Sequence, residues 1–485
     1  MNAKTAAILA GLLVAPVAAT AAPDPARLFT EHCAACHGGD RLGAIGPALL
    51  PQNLGRLKPG EAVNVILSGR VATQMPPFGD KLTEEDAKAL AGWIFTAPER
   101  MPEWGVAEIN ASRVIHGARL PAAPVHDSRP LNLFCVVETG DHHVTVLDGD
   151  RMEPIARFQS RFALHGGIKY SPDGRFAYMA SRDGWVSVYD LWGLEMVVET
   201  RAGINTRNIA VSKDGKLIAV GNAVPAGVVI LDARDLSPVQ MIPTGSRVSA
   251  VYTAPPRHSF VVALKDTPEV WELPYDTLPL AVRRVPLEAH LDDFFFDQGY
   301  RMLMGASRDG RGQVVDLDAG RKVADLALQG MPHLGSGTTF DWQGRRLMAS
   351  PNLKEARITV IDTATWEVVR QIETLGPGFF LRGHAASPYV WADVFMGPNK
   401  DAIHVIDKRS LEIVKTLRPA PGRTAAHVEF TDDGRFALVS VMENDGALIV
   451  YDAQTLEEVK RLPMRRPVGK YNVANKIRYE EGTSH

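Results

Sequence analysis

Val186-Ser187-Val188-Tyr189-Asp190 is a short run of mostly apolar residues stopped by an aspartate. The same ending returns as Val146-Leu147-Asp148, Ile230-Leu231-Asp232, Val314-Val315-Asp316, Val360-Ile361-Asp362, Val405-Ile406-Asp407 and Val450-Tyr451-Asp452. From Asp148 onward the gaps are 42, 42, 84, 46, 45 and 45 residues. The gap of 84 is twice 42, so one unit has lost its signature, near Trp271-Glu272-Leu273. Turn sequences such as Ser171-Pro172-Asp173-Gly174, Lys213-Asp214-Gly215 and Asp432-Asp433-Gly434 sit inside the units. A period in the forties, built of short strands and tight turns, is the mark of a β-propeller. Counting the silent unit gives eight blades, over residues 131–485. The aspartates are expected to close turns and to take no part in chemistry.

Upstream of the repeats the pattern changes. Cys33-Ala34-Ala35-Cys36-His37 is a C-x-x-C-H run, the attachment site of a c-type haem. The cysteines bond the porphyrin vinyl groups, and the adjacent histidine is then close enough to bind the iron. A C-x-x-C pair alone can be a redox dithiol or half a zinc site, but neither explains His37, and no second cysteine pair exists to complete a zinc site. Ala26–His32, Glu61–Gly69 and a segment beginning at Thr83 read as helices. Acidic residues in the first turn after Thr83 suit the helix dipole, and Ala87, Leu90 and Ile94 recur at helical spacing. This is the pattern of a small all-α cytochrome c over residues 23–98. The sixth iron ligand belongs between the last two helices, where Met75 stands before Pro76 and Pro77; Met101 is a weaker competitor. Residues 99–130 carry several prolines and little periodicity, and read as a linker.

The chain has 485 residues, a net charge of −3 and 45% hydrophobic content, enough for more than one core and unlike a nucleic-acid binder. Cys135 is the third and last cysteine and lies in an apolar run, as a buried structural thiol does. Residues 1–22 read as a secretory signal peptide, with Lys4, an apolar run from Ala6 to Val17, and Ala19-Thr20-Ala21 as a cleavage site. An uncleaved anchor is the alternative. No other stretch is long enough to span a bilayer, so the expected location is the periplasm and the protein is not integral to the membrane.

The repeat also places residues relative to one another. Stepping 17 residues from a signature aspartate leads from Asp148 to His165, from Asp190 to Arg207, from Asp232 to Ser249 (two after Arg247), and from Asp316 to His333. His290 falls near this phase after the silent unit, His384 and His427 lie slightly later, and Tyr471 follows the last unit. The phase precedes the strand nearest the central channel, so these side chains are expected to gather at one mouth. His165 opens the second blade and His333 the sixth, half a turn apart, so a planar metal-containing cofactor between them can take an axial ligand on either face. Arg207 and Arg247 are placed to hold carboxylates on its rim, or to be ordinary blade-edge ion pairs. His290, His384, His427 and Tyr471 remain as acid–base or substrate groups.

A c-type haem domain followed by such a propeller resembles the haem d1 proteins of denitrification. Leu164-His165-Gly166, Ser181-Arg182-Asp183-Gly184, Tyr189-Asp190-Leu191-Trp192, Pro332-His333-Leu334-Gly335 and Val468-Gly469-Lys470-Tyr471-Asn472-Val473 look like the family. The resemblance implies His165 as proximal ligand of haem d1, with His290 and His333 on the distal face. Two activities fit. The c-plus-d1 nitrite reductases protonate nitrite with two distal histidines, and His290 and His333 match them. The dihydro-haem d1 dehydrogenases oxidise a propionate side chain of the precursor to an acrylate and pass electrons to their own c haem.

Several features favour the dehydrogenase. The c domain is small, with no long N-terminal arm supplying a tyrosine. His290 is followed by Leu291-Asp292-Asp293 and His333 by Leu334-Gly335-Ser336, where the reductases look more like Asp-Gly-Gly and Pro-Gly-Arg. His427 stands where the reductases carry a non-basic residue, and a histidine base beside Tyr471 suits removal of a side-chain proton. In that reading His333 is the second axial ligand. The dehydrogenase is therefore the expected function, the reductase the alternative, and a non-catalytic haem d1 carrier or electron-transfer protein the third. The expected partners are the haem d1 precursor as substrate and a soluble periplasmic electron-transfer protein, with monomer and homodimer both open. A quinone cofactor ranks low, because no acidic cluster around the ring would hold the calcium ion it needs.

Overall fold

Each signature aspartate ends the third strand of its blade and turns the chain. Asp148 accepts from the backbone N–H of Asp150 and Arg151, at 2.8 and 3.0 Å. Asp316 and Asp452 do the same with the two or three residues that follow them. Asp190, Asp232, Asp362 and Asp407 repeat the contact. In the silent unit the equivalent strand, Glu269–Pro274, ends on proline. In the turn after the second blade's short first strand, Ser171 donates to Asp173 and Gly174 sits at φ 74°, a conformation that glycine adopts without strain.

The computed structural model describes residues 22–44, 46–54, 57–69, 75–100, 102–164, 167–307 and 310–479. Eight antiparallel sheets make the propeller, as the repeat predicts. The innermost strands of blades 2 to 8 are Lys169–Tyr170, Asn205–Val211, Val248–Ala254, Asp293–Phe296, Thr338–Trp342, Leu381–Gly383 and Ala425–Phe430. Blade 1 is closed from both ends of the domain: Pro467–Asn472 is its inner strand and pairs with Leu133–Glu138. The ring is thus sealed by a ladder between segments more than 300 residues apart.

Both faces of a blade are covered by neighbours, so the strands are apolar almost throughout. The core is a ring of clusters, one at each junction between blades. Tyr178, Val186 and Val188 of blade 2 meet Ile209, Ile218 and Val220 of blade 3. Phe134, Val136 and Leu147 of blade 1 meet Leu438, Leu448 and Val450 of blade 8. Phe260 is fully buried at the junction of blades 3 and 4, against Tyr275. Phe260→Ala is expected to lower the stability of the propeller by about 3–5 kcal/mol, through lost burial and the cavity left behind, read as a shift in its denaturant midpoint.

The cytochrome domain has the expected helices. Pro25–His32 is capped by Asp24, which accepts from the N–H of Ala26 at 3.1 Å. Glu84–Ile94 is capped reciprocally by Thr83 and Asp86. These helices and Pro59–Ser68 enclose Leu28, Phe29, Ile66, Ala87, Leu90 and Ile94. The segment read as a bare linker is structured. It holds a helix, Val106–Ala111, and a strand, Val114–Ile115, that adds a fifth strand to blade 2. The composition hid this because that edge strand is exposed and only two residues long.

The cytochrome loop after His37 seats on blades 2 and 3. Ala48 and Leu50 pack against Ile204 and Val224. Arg201 donates to the carbonyl of Leu42 and, at 2.8 Å, to that of Asp183, and stacks 4.7 Å above Trp104.

Candidate active site

The short helix Ala34–His37 presents the C-x-x-C-H motif on the apolar face of the cytochrome domain. Cys33 and Cys36 form no disulfide, and Cys33 packs on the same cluster as Met75. Burial, with the neighbouring Cys36, pushes the Cys33 thiol up to about 11, so a thiolate is disfavoured there. The imidazole Nδ1 of His37 lies 2.8 Å from the carbonyl of Pro47. That bond sets Nδ1 as the protonated nitrogen and leaves Nε2 as a lone-pair donor, the arrangement that a metal-ligating histidine needs. A Cβ on Gly46 would come within 3.2 Å of this ring, so a side chain there would crowd the loop against His37. These residues fit a covalent haem c.

In the propeller, His333 and His427 stand at the end of the channel where the inner strands begin. His333 precedes the first strand of blade 6, with Nδ1 3.1 Å from the carbonyl of Phe379 and Nε2 3.7 Å from Asp293. Its ring lies 4.3 Å from that of Phe379, and Phe379 meets Phe380 in a tilted contact at 4.5 Å. Phe380 meets His427 edge-on at 4.8 Å, and His427 meets Tyr471 edge-on at 5.3 Å. An unbroken file of five rings therefore runs from His333 to Tyr471. A Cβ on Gly469 would stand 2.5 Å from the Tyr471 hydroxyl, so glycine makes the room that the phenol occupies.

His427 is buried, and its Nδ1 has no hydrogen-bond partner among the described residues. Burial, then Lys470, Lys476 and Arg382, hold its pKa well below the ordinary value, so the ring is neutral near pH 7. Burial holds the Tyr471 phenol protonated, helped by Glu429. The pair thus combines a neutral base with a hydroxyl donor.

Other expected positions come out differently. His165 lies outside the described residues. His290 precedes the inner strand of blade 5, is 37% exposed, and faces Asp292 at 3.6 Å. Arg207 lies within its inner strand and not ahead of it, and its Nε donates to the carbonyl of Ser249 at 2.6 Å. Arg247 is paired with Asp266 at 2.5 Å on the blade edge. His384 does not join the ring at this mouth. It follows the inner strand Leu381–Gly383 and sits in the hairpin at the opposite end, where Nδ1 accepts from the N–H of Ala386 at 3.1 Å. Seventeen residues from Asp362 is Phe379, which does stand at this mouth against His333; His384 is five residues later, past an inner strand only three residues long.

The spacing did not expose the charged groups behind His427. Lys470 and Glu429 are fully buried, with Asp393, Lys476 and Arg382 around them. Across the channel Lys169, pulled down to about 8 by burial against the opposing pull of Asp293, stands over Tyr252. Tyr252 donates to Asp293 at 2.9 Å. Nothing local marks a lysine or a strand-end aspartate as buried; only the closed ring brings their partners together.

Elsewhere in blade 7, His404 accepts from the N–H of Leu375 at 3.1 Å and lies 2.9 Å from Thr416. Burial lowers it to about 4. A histidine lowered on folding contributes stability above its unfolded pKa and loses it as pH falls through the folded one. Stability is therefore expected to fall between pH ~6.5 and ~4, and His404→Gln to flatten that slope in denaturant titrations at each pH.

The cytochrome D1 heme domain family matches residues 128–476, and the cytochrome c oxidase cbb3-type subunit III family matches residues 20–94. A dihydro-heme d1 dehydrogenase of Pseudomonas aeruginosa is 57% identical over 98% of both chains. A nitrite reductase of Stutzerimonas stutzeri is 26% identical over 96% of both. A solved structure of the dihydro-heme d1 dehydrogenase NirN in complex with DHE superposes with a TM-score of 0.89, at 57% identity, over 94% of this chain and all of that one. A domain match of that extent, joined by a relative alike from end to end, places the chain in the cytochrome D1 heme domain family.

Proposed function

We propose that this chain is a dihydro-haem d1 dehydrogenase, which oxidises one propionate side chain of its substrate to an acrylate. The observation that carries this reading is the edge-to-face contact of neutral, buried His427 with Tyr471 on two adjacent inner strands, 5.3 Å apart. The identity of 57% to a dehydrogenase, against 26% to a reductase, supports the same choice.

The reaction removes two protons and two electrons from –CH2–CH2–COO⁻ and leaves –CH=CH–COO⁻. Haem c, which Cys33, Cys36 and His37 would hold with Met75, would accept one electron at a time, and the ferric iron of the substrate would take the other until the c haem is emptied. His333, with Nδ1 anchored on Phe379, offers Nε2 to the substrate iron, and His165 is assigned to the opposite face. His427 takes the two side-chain protons in turn, passing on the first before the second leaves. Tyr471 stays protonated and donates to the carboxylate, orienting it for that transfer. Phe379 and Phe380 keep water out. Burial, with Lys470, Lys476 and Arg382 behind it, disfavours the imidazolium, so each proton passes on toward the channel mouth and does not stay. Lys169 and Arg207 lie near enough to the channel to meet other carboxylates of the substrate. A soluble periplasmic electron-transfer protein then empties the c haem. No helix among the described residues is long and apolar enough to cross a membrane.

The test is anaerobic mixing of ferric protein with dihydro-haem d1. Reduction of the c haem, together with a shift of the tetrapyrrole to the mature d1 spectrum, is the expected result. Binding of an unchanged precursor refutes the assignment, and nitrite turnover with mature d1 then distinguishes a reductase from a carrier.

A further inference from the structure

His427 is the extra residue of a bulge. The pairing of Ala425–Phe430 with its neighbour slips between Ala426 and Val428, and His427 alone takes φ 55°. A residue with a side chain is uncommon in that left-handed region and persists only where its surroundings hold it. Here both backbone polar groups of His427 are held by buried charged side chains. Its N–H donates to Asp393 Oδ2 at 3.3 Å. Its carbonyl accepts from Lys470 Nζ, which also donates to Ser440 at 2.8 Å.

The other oxygen of Asp393 accepts from the N–H groups of Phe379 and Phe380, at 2.7 and 3.1 Å. Phe379 is the residue whose carbonyl anchors His333. One buried carboxylate therefore connects the backbone of His427 with the loop that holds His333. Burial pushes the Lys470 amine well below its usual range and the Asp393 carboxyl up to about 6, so holding both there is costly, and an apolar pair would fill the same space at lower cost. The arrangement is accounted for if the two charges fix where His427 stands.

We propose that Asp393 and Lys470 are positioning residues for the dehydrogenation: they clamp His427 in its left-handed bulge, and Asp393, through Phe379, sets the spacing between His427 and His333. This rests on the reading of His427 as the base.

The test uses the haem-loaded protein and anaerobic single-turnover reduction of the c haem by dihydro-haem d1. Asp393→Asn keeps an oxygen for Phe379 and Phe380 but presents no second acceptor to His427. It is expected to slow the reduction about ten- to a hundred-fold while the affinity for the tetrapyrrole stays within about two-fold. In a His427→Ala background the same change is expected to cost nothing further, because a residue acting through His427 has nothing left to position. Lys470→Met, run through the same cycle, gives the same answer if Asp393→Asn does not fold. Losses that add in the double variants, or a full rate in Asp393→Asn when His427→Ala is impaired, overturn the proposal and leave the base assignment standing. A full rate in His427→Ala removes the base assignment, and the clamp with it.

Discussion

Replacing His427 with glutamine is expected to slow oxidation of the propionate at least about a hundred-fold while dihydro-haem d1 still binds. Glutamine retains much of the volume between Phe380 and Tyr471, so the ring file loses little packing. It cannot accept a proton. The measurement is the rate of c-haem reduction in single turnover, set beside a spectral titration of substrate onto the same variant. The wild-type rate should keep its plateau well below pH 6.5, because the folded imidazole is neutral there. A variant that turned over normally would move the base elsewhere, with His290 the next group to try.

The second large effect concerns the cytochrome domain. With Cys33→Ala and Cys36→Ala together, no covalent haem forms, and sustained turnover is expected to vanish. Substrate affinity should be unchanged, since His333, His427 and Tyr471 all belong to the propeller. His37→Ala should give the same loss by a different route, because the iron loses the ligand that Pro47 orients. Visible spectroscopy of the purified variants, then turnover with an external acceptor, checks both. Sustained oxidation in the cysteine variant would mean that electrons leave the substrate without this domain.

The parts of this molecule that could be read from its sequence are those whose cause is local. A signature aspartate binds N–H groups two and three residues ahead, so its job is written beside it, and eight blades could be counted although one is unsigned. His37 and its cysteines are equally local. His384 was misplaced because it lies five residues past the phase, which falls on Phe379, and its three-residue inner strand ends before it. Asp393 and Lys470 were missed as working groups because their meaning depends on contacts 34 and 43 residues distant in the chain. The strand at Val114–Ile115 was hidden by its exposure.

The ring's closing strand carries more than a seam. Pro467–Asn472 contributes Lys470 and Tyr471 to the site, and both pair with a strand made over 300 residues earlier. The cytochrome segment closes on contacts of its own, whereas the propeller closes only through that distant ladder. The catalytic half becomes competent only when the last blade locks onto the first. A chain lacking that strand would keep the C-x-x-C-H motif but lose Lys470 and Tyr471 from the site.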